Sequence, residues 1–369
     1  MSPGESLRIL AVSGASGGHI FPAVSFLDYF RERYKYENGT LLVLPRQISS
    51  QKIEPRGQNL SYISVSNFSR GLKLQNFYNL FNFLKGTAES FFILSKFKPD
   101  IVVGFGSLVS IPVVFWAWIF RIKILIHEQN VVPGRANRLL AKFSDKIAVS
   151  FRETSNYLRA RPDKIALTGN PIRARLKRYD RRQAKEFFGL ALDKFTVLVA
   201  GGSRGSHRIN IFFLEAMGQI SGRCNIQVIH LAGEQDYGHL NNGYKELGIN
   251  HKIFTFLHEM EYAYSAADLV VARAGATTLA EIVFFGIPAI IIPYPFAYQH
   301  QLANARVLAE KGCAKVFNEN KLNIGELSRA LEELINNPAQ IEAMKARYDD
   351  FPKLDAAERL SIEAMSLLS

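Results

Sequence analysis

The chain has 369 residues, 48% hydrophobic and 21% charged, with 45 Lys and Arg against 33 Asp and Glu. A chain of this length divides into about two domains of ordinary size, and the composition excludes disorder, collagen-like repeats, coiled coil and low-complexity sequence. The positive excess sits in one half: residues 1–174 hold 23 Lys and Arg against 11 Asp and Glu, and residues 175–369 hold 22 of each. A half so biased either faces something anionic or is basic for solubility alone. Cys224 and Cys313 form no CxxC pair, which excludes a disulfide framework and a thiolate zinc site and suits a reducing cytoplasm.

In chain order, Leu7–Val12, apolar apart from Arg8, is a run that stops in Gly14-Ala15-Ser16-Gly17-Gly18-His19. It reads as a buried strand entering a glycine loop, and it is too short for a secretory hydrophobic region. Such a loop lets backbone N–H groups and a helix N-terminus approach phosphate. His19 then falls in the first helical turn, where the dipole disfavours the imidazolium and leaves the ring available as a base. Simple helix-end packing is the alternative. Leu41–Leu44 is the next strand. Between Phe68 and Lys98, Phe77, Tyr78, Leu80, Phe81, Phe83 and Leu84 recur at near-helical spacing beside Arg70, Lys73, Lys85, Lys96 and Lys98. That pattern fits an interfacial helix, extended by Trp116, Trp118, Phe120, Arg121 and Lys123, or a core helix with a solvated basic face.

Ile101 to Phe120 carries no charge, but Gly104, Gly106 and Pro112 interrupt it, so it reads as a strand, Ile101–Val103, entering a loop and not as a membrane span. Ile122–Ile126 and Ile147–Val149 follow, and the turn residues Thr168-Gly169-Asn170-Pro171 mark a seam. In the second half the strands are Phe195–Ala200, Ile226–Leu231, Leu269–Ala272, Ala289–Ile292 and Lys315–Phe317. The uncharged run Ile282 to Gln299 is broken by Gly286, Pro288, Pro293 and Pro295 and does not span a bilayer either. Lys353 to Ser369 reads as a last amphipathic helix. Near-continuous apolar strands alternating with helices indicate α/β architecture with doubly wound parallel sheets.

The second half opens as the first does: a strand, then Gly202-Ser203-Arg204-Gly205-Ser206-His207, then a helix. Two such loops suggest two similar domains. Neither is a Walker motif or a proper GxGxxG, and no acidic residue ends the next strand as a nicotinamide dinucleotide requires. The densest segment, Ala272 to Glu281, is a strand end, a small-residue loop and a helix whose first turn offers Thr277 and Thr278 with free N–H groups. This forms a diphosphate cradle, and Glu281, one turn on, is placed to accept both hydroxyls of a ribose, the alternative being a solvated helix carboxylate. No Asp-x-Asp or His-Glu-x-x-His occurs and the eight histidines are scattered, so no metal site is expected and a leaving diphosphate falls to helix N-termini and arginines.

Together GASGGHIFPA (14–23), HEQNVVPGRANRLLA (127–141), TGNPIR (168–173), GGSRGS (201–206), ARAGATTLAEI (272–282) and HQLANA (300–305) resemble, in order and spacing, the MurG family of peptidoglycan glycosyltransferases. The resemblance implies a GT-B fold of two Rossmann-like domains facing a cleft. It implies inverting transfer of N-acetylglucosamine from UDP-N-acetylglucosamine to the C4 hydroxyl of the muramyl sugar of lipid I, giving lipid II, with no cofactor and no nucleic-acid partner. The domains so implied are 1–170, facing acceptor and membrane; 171–352, holding the donor; and a helix in 353–369 packing back on the first. Carried over by residue, Ser16, Gly17 and Gly18 approach the diphosphate or the acceptor, Asn130 and Arg173 contact the donor, and Ser203 its diphosphate. Leu257 lies near the uracil through its backbone. Ala276, Thr277, Thr278, Leu279 and Ala280 hold phosphate and ribose, with Glu281 on the ribose hydroxyls and Gln301 on the hydroxyls of the transferred sugar. His19 is the candidate general base and Glu128 its reserve. The family's hydrophobic, basic patch matches Phe77–Lys85 and the charge asymmetry, implying a peripheral protein on the anionic cytoplasmic face of the cell membrane.

The sequence departs from the family at Ala15 and Ser16, where Gly and Thr are usual, and at Ser107 and Leu108, where Gly and Tyr are. Arg204 replaces a common glutamine and Gln299 a common Asp or Arg. The competing readings are another GT-B lipid glycosyltransferase, a UDP-N-acetylglucosamine 2-epimerase-like enzyme and a non-catalytic sugar-nucleotide sensor.

Overall fold

The computed structural model describes residues 7–34, 39–46, 57–66, 74–202, 205–296, 300–352 and 355–368. Ser203, Arg204, Arg70, Lys73, Gln299 and Lys353 therefore lie outside the described residues. The chain divides into two compact units, Met1–Ala174 with Leu354–Ser369, and Arg175–Lys353.

The first unit is built on seven parallel strands: β1 (Ile9–Val12), β2 (Thr40–Pro45), β3 (Leu60–Ile63), β4 (Ile101–Gly104), β5 (Lys123–Glu128), β6 (Lys146–Val149) and β7 (Ile165–Leu167). Their spatial order is β3-β2-β1-β4-β5-β6-β7, with Ile9 registered against Thr40 on one side and Ile101 on the other. Four helices connect them: α1 (Gly17–Tyr34), α2 (Leu74–Phe97), α3 (Ser110–Ile119) and α4 (Arg135–Leu140). Alternate strand residues feed two cores, because side chains on a strand alternate between faces. Leu10, Val12, Val102, Ile124 and Ile126 meet Val113, Val114 and Ala117 of α3 on one face. Ile9, Ala11, Val103 and Leu125 meet Ile20, Phe26 and Phe30 of α1 on the other.

The second unit repeats the plan with six parallel strands: β8 (Phe195–Ala200), β9 (Ile226–Leu231), β10 (Asn250–Phe254), β11 (Leu269–Ala272), β12 (Ala289–Ile291) and β13 (Ala314–Val316), in the order β10-β9-β8-β11-β12-β13. Around them lie α5 (Arg181–Phe187), α6 (His207–Ile220), α7 (Tyr237–Glu246), α8 (Met260–Ala266), α9 (Ala276–Phe285), α10 (His300–Glu310), α11 (Ile324–Ile335) and α12 (Pro338–Ala346). Asp180, Asn323 and Asn337 accept from first-turn N–H groups and so start α5, α11 and α12 where they do. The last helix, α13 (Ala356–Met365), is capped by Asp355 and buries Leu360 and Ala364 in the α1 core of the first unit. Lys146 at the start of β6 pairs with Glu363 of α13.

Three strands are absent from the sequence reading: β3, β7 and β10. All three are at sheet edges or at the end of the strand order, and none is fully buried. Half-covered strands lack the continuous apolar run that marks the central ones. Leu7–Val12 and Ile122–Ile126 are each shortened at the start, since the ladder begins at Ile9 and Lys123. The uncharged run from Ile101 to Phe120 resolves into β4, a loop and the ten-residue α3. Among the described residues no helix is long and apolar enough to cross a membrane.

Candidate active site

In each sheet the strand order reverses beside the first strand of the unit, between β1 and β4 and between β8 and β11. Outside the C-terminal ends of strands at such a switch point, open α/β sheets bind ligands. In the first unit, the loop after β1 leads into α1, whose opening turn is closed by the Ser16 carbonyl accepting from the N–H groups of His19 at 2.9 Å and Ile20 at 3.0 Å. The Ser16 hydroxyl lies 2.7 Å from His19 Nδ1. Gly17 and Gly18 are the first two residues of α1 and leave its N-terminus open. The β4 loop runs underneath. Gly106 and Ser107 both take left-handed backbone, with φ of +83° and +70°, and a Cβ on Gly106 falls 3.4 Å from His19 Cδ2. Burial pulls the His19 imidazole from its usual 6.5 down to about 4. Desolvation of the ring thus acts in the same direction as the helix end, toward the neutral form.

Glu128 ends β5 and is 2% exposed. One carboxylate oxygen accepts from the Asn130 backbone N–H at 2.9 Å and Asn130 Nδ2 at 3.1 Å. The other accepts from the Gly134 N–H at 3.0 Å and Asn137 Nδ2 at 2.8 Å. The carboxylate therefore organises the 129–137 loop and gives Asn130 its orientation. His127, beside it, is fully buried. Its Nε2 donates to the Gly169 carbonyl at 2.9 Å, so its Nδ1 is the acceptor for Gln129 Nε2 at 3.1 Å. Arg173 returns toward the same place, its guanidinium 5.1 Å from the centroid of Phe21, two residues beyond His19. The structure thus brings Ser16, Gly17, Gly18, His19, Glu128, Asn130 and Arg173 to one end of the first sheet.

In the second unit, Gly205 takes φ +73° in the loop after β8, and a Cβ there would meet the Ala232 carbonyl oxygen at 2.2 Å, so only glycine fits. Gly275 precedes α9, and Ala276, Thr277, Thr278, Leu279 and Ala280 form its first turn and a half. Thr277 is buried and its hydroxyl has no hydrogen-bond partner among the described residues, which suits a hydroxyl aimed at a ligand oxygen. Glu281 is 5% exposed and accepts from the Tyr264 hydroxyl at 2.8 Å; a solvated helix carboxylate is excluded. Gln301, second in α10, accepts on Oε1 from the backbone N–H groups of Ala274 at 3.2 Å and Tyr294 at 2.9 Å. That leaves its Nε2, a donor only, as the end of the amide outside this contact. Leu257 is buried in the segment between β10 and α8. Among the described residues no group of three or more His, Cys, Asp and Glu is placed to hold a metal ion.

Residues 9–149 match the glycosyltransferase family 28 N-terminal domain, and residues 196–360 match the family 28 C-terminal domain. The UDP-N-acetylglucosamine–N-acetylmuramyl-(pentapeptide) pyrophosphoryl-undecaprenol N-acetylglucosamine transferase of Thermodesulfovibrio yellowstonii is 35% identical, covering 98% of this chain and 99% of its own. The transferase of the same name from Halothermothrix orenii is 38% identical over 92% and 93% of the two chains. A crystal structure of Acinetobacter baumannii MurG, 23% identical, superposes with a TM-score of 0.76 over 98% of this chain and 100% of that one, which bears on the fold. The chain belongs to the MurG family. It is a glycosyltransferase with the two-Rossmann-domain, GT-B architecture.

Two residues that brace the loops and carboxylate of the second unit escape a reading of the sequence. Arg273, at the end of β11, is buried; it donates to the Ser206 hydroxyl at 2.6 Å and the Ile292 carbonyl at 3.1 Å and pairs with Glu319. It ties together the loops after β8, β11, β12 and β13. Tyr264, on α8, holds Glu281. An arginine next to the GATT loop is the available signal for the first; nothing local marks the second. This MurG-family chain also exposes apolar side chains on α2 and α3: Phe77 is 69% exposed, and Tyr78, Leu80, Phe81, Leu84, Phe92, Phe115, Trp118, Ile119 and Phe120 are exposed as well. Phe83 and Trp116 instead turn toward the core, so the core-helix alternative holds for one face of α2 only.

Proposed function

We propose that the protein transfers N-acetylglucosamine from UDP-N-acetylglucosamine to the C4 hydroxyl of the muramyl sugar of lipid I, forming lipid II. The observation that carries the reading is near-full-length identity of 35% and 38% to relatives named for that transfer. The site chemistry supports it. The α9 N-terminus with the Thr277 hydroxyl suits a diphosphate, with Ser203 as a further donor ligand. Buried Glu281 suits the paired hydroxyls of the ribose, and the backbone at Leu257 the uracil edge. Gln301, restricted to donating, suits the hydroxyl oxygens of the transferred sugar. Asn130, Arg173 and the loop from Ser16 to Gly18 complete donor and acceptor contacts.

We assign the general base to His19 in preference to Glu128. A neutral imidazole accepts a proton, whereas both Glu128 oxygens already serve the 130–137 loop. In the step, His19 Nε2 takes the proton of the C4 hydroxyl as its oxygen bonds to the anomeric carbon, and the bond to UDP breaks with the electron pair leaving on the diphosphate. A single displacement inverts that carbon. The exposed apolar side chains of α2 and α3, with Lys85, Lys96, Arg121 and Lys123 around them, suit the anionic surface of the cytoplasmic membrane, where the lipid substrate resides. The testing experiment is transfer of labelled sugar from UDP-N-acetylglucosamine to a short-chain lipid I analogue in EDTA. A β-1,4-linked disaccharide is expected. Donor binding with no product overturns the acceptor, and N-acetylmannosamine formed without acceptor overturns the transfer.

A further inference from the structure

We propose that Ser16 is a positioning residue for the base: its hydroxyl accepts a hydrogen bond from His19 Nδ1–H, which directs the Nε2 lone pair to the substrate and stabilises the imidazolium formed by proton transfer. The inference rests on the reading of His19 as the base and deepens it. The two atoms are 2.7 Å apart, and the contact spans one helical turn, from the residue before α1 to its third residue. Among the described residues the His19 ring makes no other hydrogen bond. On the Nδ1 side stands Gly14, close enough that a Cβ there would come 3.5 Å from Nδ1.

The chemistry fixes the direction of the bond. A neutral imidazole has one N–H and one lone pair. If the serine hydroxyl donated to Nδ1, the proton would lie on Nε2 and the ring could not accept one there. Once Nε2 takes the acceptor's proton, both nitrogens carry hydrogen and Nδ1–H requires an acceptor. Packing around the ring opposes this charge, and the serine oxygen offsets part of that opposition. Alanine at this position keeps the helix start, because the turn is closed by the residue 16 carbonyl and not by its side chain.

Ser16→Ala is expected to lower kcat by about 10- to 100-fold, the range of one hydrogen bond to a charged group, with both KM values within about threefold of the parent. Ser16→Thr restores most of the rate, because the hydroxyl returns. In protein labelled with 15N at histidine, His19 is expected to carry its neutral-state proton on Nδ1, and Ser16→Ala to shift that signal toward the other tautomer. In a His19→Ala background, removing the hydroxyl costs nothing further. Full kcat in Ser16→Ala beside an inactive His19→Ala overturns the positioning role and leaves the base reading intact, whereas a resting proton found on Nε2 overturns the positioning role and the use of Nε2 as the base together. Full kcat in His19→Ala overturns the base reading, and this proposal with it.

Discussion

The side chain of Ser107 fills the space into which a substituent on Gly14 would point, so the loops after β1 and β4 are fitted to one another atom by atom. A Cβ on Gly14 would lie 2.6 Å from Ser107 Cβ and 2.8 Å from its Oγ, while Ser107 itself holds φ +70°, a region that disfavours any residue but glycine. Gly14→Ala should therefore lower stability by about 1–3 kcal/mol, as overpacking does. Ser107→Gly removes the opposing Cβ and relaxes the left-handed backbone, so the double variant should recover most of the loss. Thermal unfolding of the single and double variants measures the coupling; a double variant no more stable than Gly14→Ala would place the strain elsewhere. In the second unit, Glu281→Ala should raise the donor KM by tenfold or more, and Tyr264→Phe by a smaller factor, about what one hydrogen bond contributes. Donor titrations at saturating acceptor measure both, and an unchanged KM in Glu281→Ala would remove that carboxylate from the ribose. His19 and Glu281 are marked as candidates by the glycine or small-residue loops beside them, and Gln301 only by the resemblance of its motif to the family. Tyr264 could not be read, since α8 meets α9 only when β11, the strand between them in the chain, is laid into the sheet.

At the scale of elements, the central strands were legible because burial on both faces demands an unbroken apolar run, as in Ile101-Val102-Val103 and Phe195–Ala200. The edges were not: β3 reads Leu-Ser-Tyr-Ile and β10 reads Asn-His-Lys-Ile-Phe, mixtures that turns share. Helix α2 was legible in type and ambiguous in use, because an apolar stripe looks alike whether it faces a core or a bilayer. The structure separates the faces: Phe83, Ile93 and Leu94 join the core, whereas Phe77, Phe81, Leu84 and Phe92 remain exposed. Replacing Phe81 and Leu84 by Ser removes apolar area without opening a cavity. Binding to vesicles with anionic lipid should fall by about tenfold or more, given about 0.8 kcal/mol per buried CH₂, and turnover of a water-soluble acceptor should stay at the parental rate. Sedimentation with vesicles measures the first and a radiolabel assay the second. Undiminished vesicle binding would leave that face without a membrane role.

For the whole molecule, the two units share a further property that sets their response to acid. Each buries a histidine completely beneath its sheet ends, His127 in the first and His230 in the second. His230 Nε2 lies 3.0 Å from Asn210 Oδ1 and Nδ1 lies 2.7 Å from the Tyr244 hydroxyl. Asn210 Nδ2 donates to the Ala232 carbonyl at 2.8 Å and to Asp236 at 2.7 Å, so its oxygen can only accept, the His230 proton sits on Nε2, and Tyr244 donates to Nδ1. A second proton has no acceptor in that arrangement. Burial accordingly holds His127 at about 4 and His230 at about 3, against a usual 6.5. In the unfolded chain both imidazoles take up protons as pH falls through 6.5, while in the folded units they stay neutral until much lower. The stability they contribute is therefore complete above about pH 7 and is lost progressively from there down to about pH 4 for His127 and about pH 3 for His230. The midpoint of thermal unfolding should be nearly flat from pH 8 to 7 and fall by about 10 °C by pH 4.5. His230→Gln, which lacks the titrating ring, should start from a lower midpoint and show a shallower acid slope for the second unit. A slope identical to the parent's would assign the acid response to groups other than these imidazoles.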